Sequence, residues 1–221
     1  MLQVTERWQK TYPRAMVGLI VLKNLLNPEQ NEGLEREKRK LESELRKTFS
    51  TREELTEHDP IKAYSAYYKR FTKTYHVLNQ LESIVLKSKS IPSVAGLVEA
   101  MFMAELKNCL LTAGHDYQTL KLPLLLDVAT GNEQYPLMNG RIQNVKHDDM
   151  MIADSQGVIS SIIYGPDSRT QMVPGTHQAV FIVYAPPGIT QEEVSYHLSD
   201  IYSYVKIVSP EAKIELQQVF R

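Results

Sequence analysis

The sequence predicts one α+β domain over residues 1–221, and three observations carry that reading. An apolar, strand-like run near the N-terminus is followed by helix-period segments at 29–89 and 94–111. Short β-type runs separated by Gly, Asn, Asp and Pro then fill residues 122–184. A capped helix closes the pattern. With 43% apolar and 23% charged residues, a chain of 221 can bury a sizeable core, and the layout reads as one domain, not two.

Residues 5–12 read as a short helix with Thr5 as its cap, ended by Pro13. Residues 14–26 are rich in Val, Ile and Leu, as a buried strand is, and Asn27-Pro28 marks a turn. In residues 29–49, Leu34, Leu41, Leu45 and Phe49 share one helical face opposite a mixed Glu/Lys/Arg face. Residues 61–89 hold two more helical patterns, with Tyr64, Tyr68, Phe71 and Tyr75 on one side and Lys62, Lys69 and Lys73 on the other. Residues 29–89 together read as a helical insert within the domain. Ser93 is placed as the cap of a helix over 94–111, with Gly114 turning the backbone at its end. Strands are placed at 122–128, 141–145, 150–153, 158–164 and 178–184, and Pro186-Pro187-Gly188 is read as the end of the sheet. Thr190 with Glu193 three residues on is a capping box for a last helix to about residue 205.

The net charge of −1 argues against polyanion binding by the surface as a whole. Residues 61–90 are the exception, with six Lys or Arg against one acid, Glu82. The lone Cys109 permits no intramolecular disulfide, which suits a reducing compartment, and reads as a buried small hydrophobe. The apolar run at 15–22 is far too short to span a bilayer, so a cytoplasmic protein without a membrane partner is expected. The six histidines show no ligand spacing with Cys or one another, and no phosphate-cradling glycine loop or Gly-x-Ser-x-Gly elbow occurs. No metal or cofactor is expected.

Polar residues at strand ends are the candidates for chemistry. His115-Asp116 can orient a substrate amine or a water, or serve only a local turn. Glu133, after Gly131-Asn132, can hold an amino group or activate water, or be an exposed turn residue. Asp154 sits in an ordinary hairpin composition. Thr176-His177 at a strand mouth suits substrate discrimination, or simply starts a strand. The lysine face of the Tyr/Lys helix can meet a phosphate backbone while the aromatic face joins the core.

These pieces, in this order, resemble the stand-alone B3/B4 proteins, relatives of the editing domain in the beta subunit of bacterial phenylalanyl-tRNA synthetase. The resemblance covers residues 12–188. It runs through Arg14-Ala15-Met16-Val17-Gly18-Leu19-Ile20, Ile91-Pro92-Ser93, Gly114-His115-Asp116, Gly131-Asn132-Glu133, Met151-Ile152-Ala153-Asp154, Thr176 and Ala185-Pro186-Pro187-Gly188. It implies a mixed-sheet core flanked by helices and a trans-acting aminoacyl-tRNA deacylase. Such an enzyme hydrolyses the ester of a mischarged tRNA, as free-standing relatives do for canavanine on arginine tRNA. The partner implied is an aminoacylated tRNA, not DNA.

The departures alter the pocket. Met101-Phe102 replaces the synthetase's Thr-Asn pair, Ala113 takes its histidine's place, and its glutamate falls near Val183-Tyr184. A tyrosine-editing pocket is therefore not reproduced. Glu105 and Lys107 replace neutral positions, and acidic Glu105, Asp116 and Glu133 suit a cationic or non-protein amino acid. An aminoacyl ester is already activated, so placing a water and stabilising the oxyanion suffice.

The expected roles are Glu133, Asp116 and His115 in catalysis, Glu105, Thr176, His177 and Met101 at the substrate, and Lys62, Lys69, Arg70 and Lys73 on tRNA. His115, Asp116, Glu133 and Thr176 are expected to share one hollow. A non-catalytic RNA-binding module and a pocket for a free amino acid or metabolite are the alternatives.

Overall fold

Two apolar eight-residue strands, Met16–Lys23 and Gln178–Ala185, form the centre of the molecule in a computed structural model that describes residues 1–221. Chain order is β1 (Leu2–Val4), α1 (Glu6–Thr11), β2 (Met16–Lys23), α2 (Glu32–Thr48), α3 (Arg52–Glu57), α4 (Asp59–Lys69), α5 (His76–Val85), α6 (Gly96–Asn108), β3 (Thr112–Asp116), β4 (Leu124–Val128), β5 (Gln134–Pro136), β6 (Ile142–Asn144), β7 (Met150–Asp154), β8 (Gly157–Ser161), β9 (Gly165–Pro166), β10 (Gln178–Ala185), α7 (Gln191–Val208) and β11 (Lys213–Phe220). One sheet runs β11-β2-β10-β3 and a second runs β1-β4-β7-β8-β9, with β5-β6 as a separate ribbon. The pairing of β1 with β4 is parallel and the rest are antiparallel, so the sheet system is mixed and the fold is α+β. No helix is long and apolar enough to cross a membrane.

β2 and β10 pair along their whole length, from Gln178 against Lys23 to Ala185 against Met16. Both are covered on two sides, which explains their nearly unbroken Val, Ile and Leu content. On one side α7 lies so close to Gly18 that a Cβ there would stand 2.5 Å from Val194 Cγ1. On the other side the Tyr184 hydroxyl meets Ser160 Oγ of β8 at 2.5 Å, so the second sheet packs there. The order is helices, four-stranded sheet, five-stranded sheet.

The helical segment at 29–89 is fastened by its polar groups as much as by its apolar stripe. Leu34, Leu41 and Leu45 of α2 are buried as their spacing predicts. Lys38, also fully buried on that face, pairs with Glu99 at 2.9 Å and Ser93 Oγ at 2.9 Å. The predicted aromatic face of α4 is core, and its hydroxyls bolt the helix to distant elements. Tyr64 donates to the Tyr184 carbonyl and accepts from Leu111 N, Tyr67 donates to Asp149 Oδ1 (2.8 Å), and Tyr68 donates to the Ile162 carbonyl (2.6 Å). A buried tyrosine normally finds such a partner, because an unpaired hydroxyl in the interior is costly.

Thr5 and Thr190 cap α1 and α7 as expected, the latter in a full capping box with Glu193. Three expectations need correction. Ser93 does not cap α6: the helix begins at Gly96, and Glu99 reaches back to accept from Val94 N at 2.6 Å while Ser93 serves Lys38 and Glu35. Gly114 does not end that helix; Cys109 does, in the left-handed conformation at φ 58°, and buried where its thiol is pushed up to about 12 by desolvation. The sheet does not end at Pro186-Pro187-Gly188, because β11 returns after α7 and adds an edge strand along β2.

Candidate functional site

Strand β3, Thr-Ala-Gly-His-Asp, is a buried end strand of the four-stranded sheet, paired with β10 alone, with His115 opposite Val180 and Asp116 opposite Ala179. Side chains alternate along a strand, so these two neighbours point to opposite faces. They cannot share one hollow.

His115 points between the sheets and is fully buried. Its Nδ1 lies 2.7 Å from Thr170 Oγ1, and the Thr170 hydroxyl donates to Asp167 Oδ1. The hydroxyl hydrogen is thereby committed, so Nδ1 carries the hydrogen of the neutral ring and Nε2 is left as a buried acceptor without a partner. Desolvation, assisted by the nearby Arg169 guanidinium, pushes His115 down to about 3, so the ring is neutral at physiological pH. His115 is a packing and bracing residue, not the expected catalytic one.

Asp116 points to the helix face with Gly114. Its Oδ2 accepts from Thr176 Oγ1 at 2.7 Å and its Oδ1 from Gln118 N at 2.9 Å. Thr176 Oγ1 in turn accepts from Val173 N at 2.9 Å. The Val173 carbonyl accepts from Asn27 Nδ2 at 2.9 Å, and Asn27 Oδ1 accepts from Leu97 N, the first turn of α6, at 3.0 Å. One chain of hydrogen bonds thus joins β3, the 171–176 turn, the segment that follows β2 and the start of α6. Two donors leave a carboxylate with unused acceptor sites. Beside this corner, Met101 and Met172 close over Gly114, where a Cβ would stand 2.6 Å from Met172 Cε and 3.1 Å from Met101 Sδ. Met101 therefore stands beside the strand that carries Asp116. The sequence reading missed Asn27, taken only as a turn, and Met172; neither carries a motif.

The remaining candidates separate. Glu133 is bonded within its own turn, accepting from Thr130 N (2.9 Å), Thr130 Oγ1 (3.0 Å) and Gly131 N (3.1 Å). Partial burial opposes ionisation there, but those donors prevail and hold the carboxyl below its usual range. Such a group staples a loop, and none of its hydrogen bonds reaches Asp116's chain. Glu105 is buried and accepts from Thr112 N at 2.7 Å, with desolvation pushing it up to about 8, so it does not line a substrate pocket as expected. His177 is exposed with Nδ1 3.1 Å from the Leu25 carbonyl, and follows Thr176 without joining its bond to Asp116. Asp154 occupies the expected hairpin, receiving Arg169 at 2.9 and 3.0 Å. Five surface clefts are lined by other residues, with none of His115, Asp116, Glu133 or Thr176 at their walls. Of the four groups expected together, the structure joins two.

Among the cations, Lys62 is paired with Glu57 at 2.7 Å, whereas Lys69, Arg70 and Lys73 are exposed at the end of α4 and just beyond it.

No protein-family model and no curated protein matches the chain. Among solved structures, an N-terminal fragment of the phenylalanyl-tRNA synthetase beta subunit from Pyrococcus horikoshii is similar over 100% of this chain, with a TM-score of 0.51 and 11% identity. The likeness is one of fold. The chain spans 54% of that fragment's length.

Proposed function

We propose that the protein is a trans-acting aminoacyl-tRNA deacylase whose reaction centre is the Asp116–Thr176 corner. What supports the reading is that pair, held at the end of β3 in a fold similar to a synthetase beta-subunit fragment, together with the B3/B4 resemblance of the sequence. Thr176 fixes the carboxylate of Asp116, and the carboxylate's unused lone pairs receive either the α-ammonium of the ester or a proton of the attacking water. The water oxygen bonds to the ester carbonyl carbon, the bond from that carbon to the ribose oxygen breaks, and the proton that the water gives up passes to that oxygen, which leaves as a hydroxyl. Free amino acid and tRNA are released. The strip between Met101 and Met172 receives the amino-acid side chain, with Met172, half-buried and flexible, moving to admit it. A single carboxylate beside two thioethers favours an aminoacyl group with a cationic amine and a partly apolar stem.

The test is a deacylation screen against correctly and incorrectly charged tRNAs, read as release of labelled amino acid. Release from at least one mischarged tRNA is expected, and release from none would remove the enzyme reading. A second reading, a non-catalytic tRNA-binding protein, is favoured by one observation: Glu133 and His115 are both turned inward to internal partners. It predicts tRNA binding without ester loss.

A further inference from the structure

The Tyr67 hydroxyl anchors α4 to the 146–150 segment, since it donates to Asp149 and accepts from Met150 N at 2.7 Å. That anchor brings two stretches of basic sequence to one place. Arg70, Phe71 and Thr72 from the end of α4 line a cleft of about 350 Å³ with Lys146, His147 and Asp148 from the loop before β7. Lys146 Nζ donates to the Phe71 carbonyl at 2.6 Å, which pins its ammonium at the mouth. The Arg70 guanidinium lies over the Tyr12 ring at 5.1 Å, with Tyr67 and Phe71 at 5.9 and 5.8 Å. Lys73 stands 5.8 Å from the ring centre of Tyr164, and Lys69 is exposed one residue before Arg70.

None of Lys69, Arg70, Lys73 and Lys146 takes part in an ion pair, and the one carboxylate lining the cleft, Asp148, lies 3.2 Å from His147. Lys62, at the other end of α4, is neutralised by Glu57. Arg70 and Lys146 are thus held in place by aromatic faces and a carbonyl instead of by an anion. Cations fixed in advance lose little side-chain entropy when an anion arrives. They also gain the release of counterions when that anion is a polyphosphate backbone. Tyr164 offers a ring for a neighbouring base, and Arg70, held against its aromatic neighbours, presents the planar donor fork that matches phosphate.

We propose that Lys69, Arg70, Lys73 and Lys146, with Tyr164 at the edge, form the docking surface for the sugar-phosphate backbone of an RNA. This surface is narrower than the sequence reading, because Lys62 drops out, and broader, because Lys146 enters from a second segment. The identity of that RNA as tRNA rests on the function proposed above; the polyphosphate contact does not.

The experiment is fluorescence anisotropy of labelled, uncharged tRNA titrated with the full chain between about 50 and 300 mM salt, where log affinity falls linearly with log salt. Lys73→Ala with Lys146→Gln is compared with the native chain and with Lys40→Ala/Lys47→Ala on α2 as a charge-matched control. Loss of two contacts is expected to make the slope of log affinity against log salt shallower by about 1.5, while the control keeps the native slope. Thermal unfolding of each variant checks that Lys146→Gln stays folded, and Lys69→Ala/Lys73→Ala gives the same reading without touching the Phe71 carbonyl. A native slope in both patch variants, an equal loss in the control, or equal competition by duplex DNA overturns the proposal. If the deacylation screen is silent while the patch variants weaken tRNA binding, this surface stands and the enzymatic reading falls.

Discussion

Replacing Glu105 by Gln should raise stability in mildly alkaline solution and flatten its dependence on pH. Glu105 is buried without a cation, and its single protein hydrogen bond, from Thr112 N, is one that an amide oxygen accepts equally well. Burial raises the carboxyl from an ordinary 4.5 to about 8. A raised acid is protonated in the fold while the unfolded chain ionises, so the fold loses stability as pH climbs from 4.5 and the loss levels off above 8. Each unit of separation is worth about 1.4 kcal/mol. The penalty is about 2 kcal/mol at pH 6 and about 4.5 kcal/mol at pH 8.5, a difference of about 2.5 kcal/mol carried by one residue. Urea unfolding at half-unit steps between those pH values measures it. Native protein should weaken across the window by about that amount more than Glu105→Gln. Parallel curves for the two proteins would refute the reasoning, because they would mean that Glu105 is solvated or paired.

Glu133→Ala should cost about 1–2 kcal/mol through loss of the Thr130–Gly131 staple and leave any deacylation rate within about twofold, read by thermal melting and by single-turnover release. His197 is buried neutral, with Thr112 Oγ1 2.6 Å from Nε2 and its ring pushed down to about 3 by desolvation. Its contribution to stability is present above about pH 6.5 and fades as pH falls toward 3; His197→Gln should remove about 2 kcal/mol of acid sensitivity between pH 6.5 and 4.5 in the same unfolding assay. Gly18→Ala should destabilise by about 1–3 kcal/mol, because the new methyl meets a β-branched, buried Val194 at 2.5 Å. Gly114→Ala should cost less, because Met172 is the flexible end of a half-buried chain and can swing aside.

The helices were legible in the sequence where local chemistry decides them. Thr5 and the Thr190–Glu193 box mark their own termini, and the α2 stripe is a plain 3.6-residue repeat. The start of α6 was misplaced because Ser93 is claimed by Lys38 from a distant helix, a contact no local pattern displays. β3 was invisible because its residues are small or polar; burial between β10 and the helices, not strand propensity, makes it a strand. β11 was missed because it is an exposed edge with a register shift between Ile214 and Leu216, which blurs the alternation. Of the site, Asp116 with Thr176 followed from the resemblance, 60 residues apart in sequence yet bonded in space. His115 was misjudged because its strand, and hence the two-residue alternation, was not recognised. Glu133 was misjudged because the turn that presents it also satisfies it. Lys146 carried no signal, since its meaning depends on Tyr67 holding α4 against the next loop.

The central claim is that the Asp116 carboxylate, fixed by Thr176, acts on an aminoacyl ester. The most direct measurement is the single-turnover release of amino acid from the tRNA that the native chain hydrolyses best, with Asp116→Asn alongside and tRNA affinity measured in parallel. The account predicts a fall in rate of about 100-fold or more with tRNA affinity unchanged. A variant that releases amino acid at the native rate would contradict it.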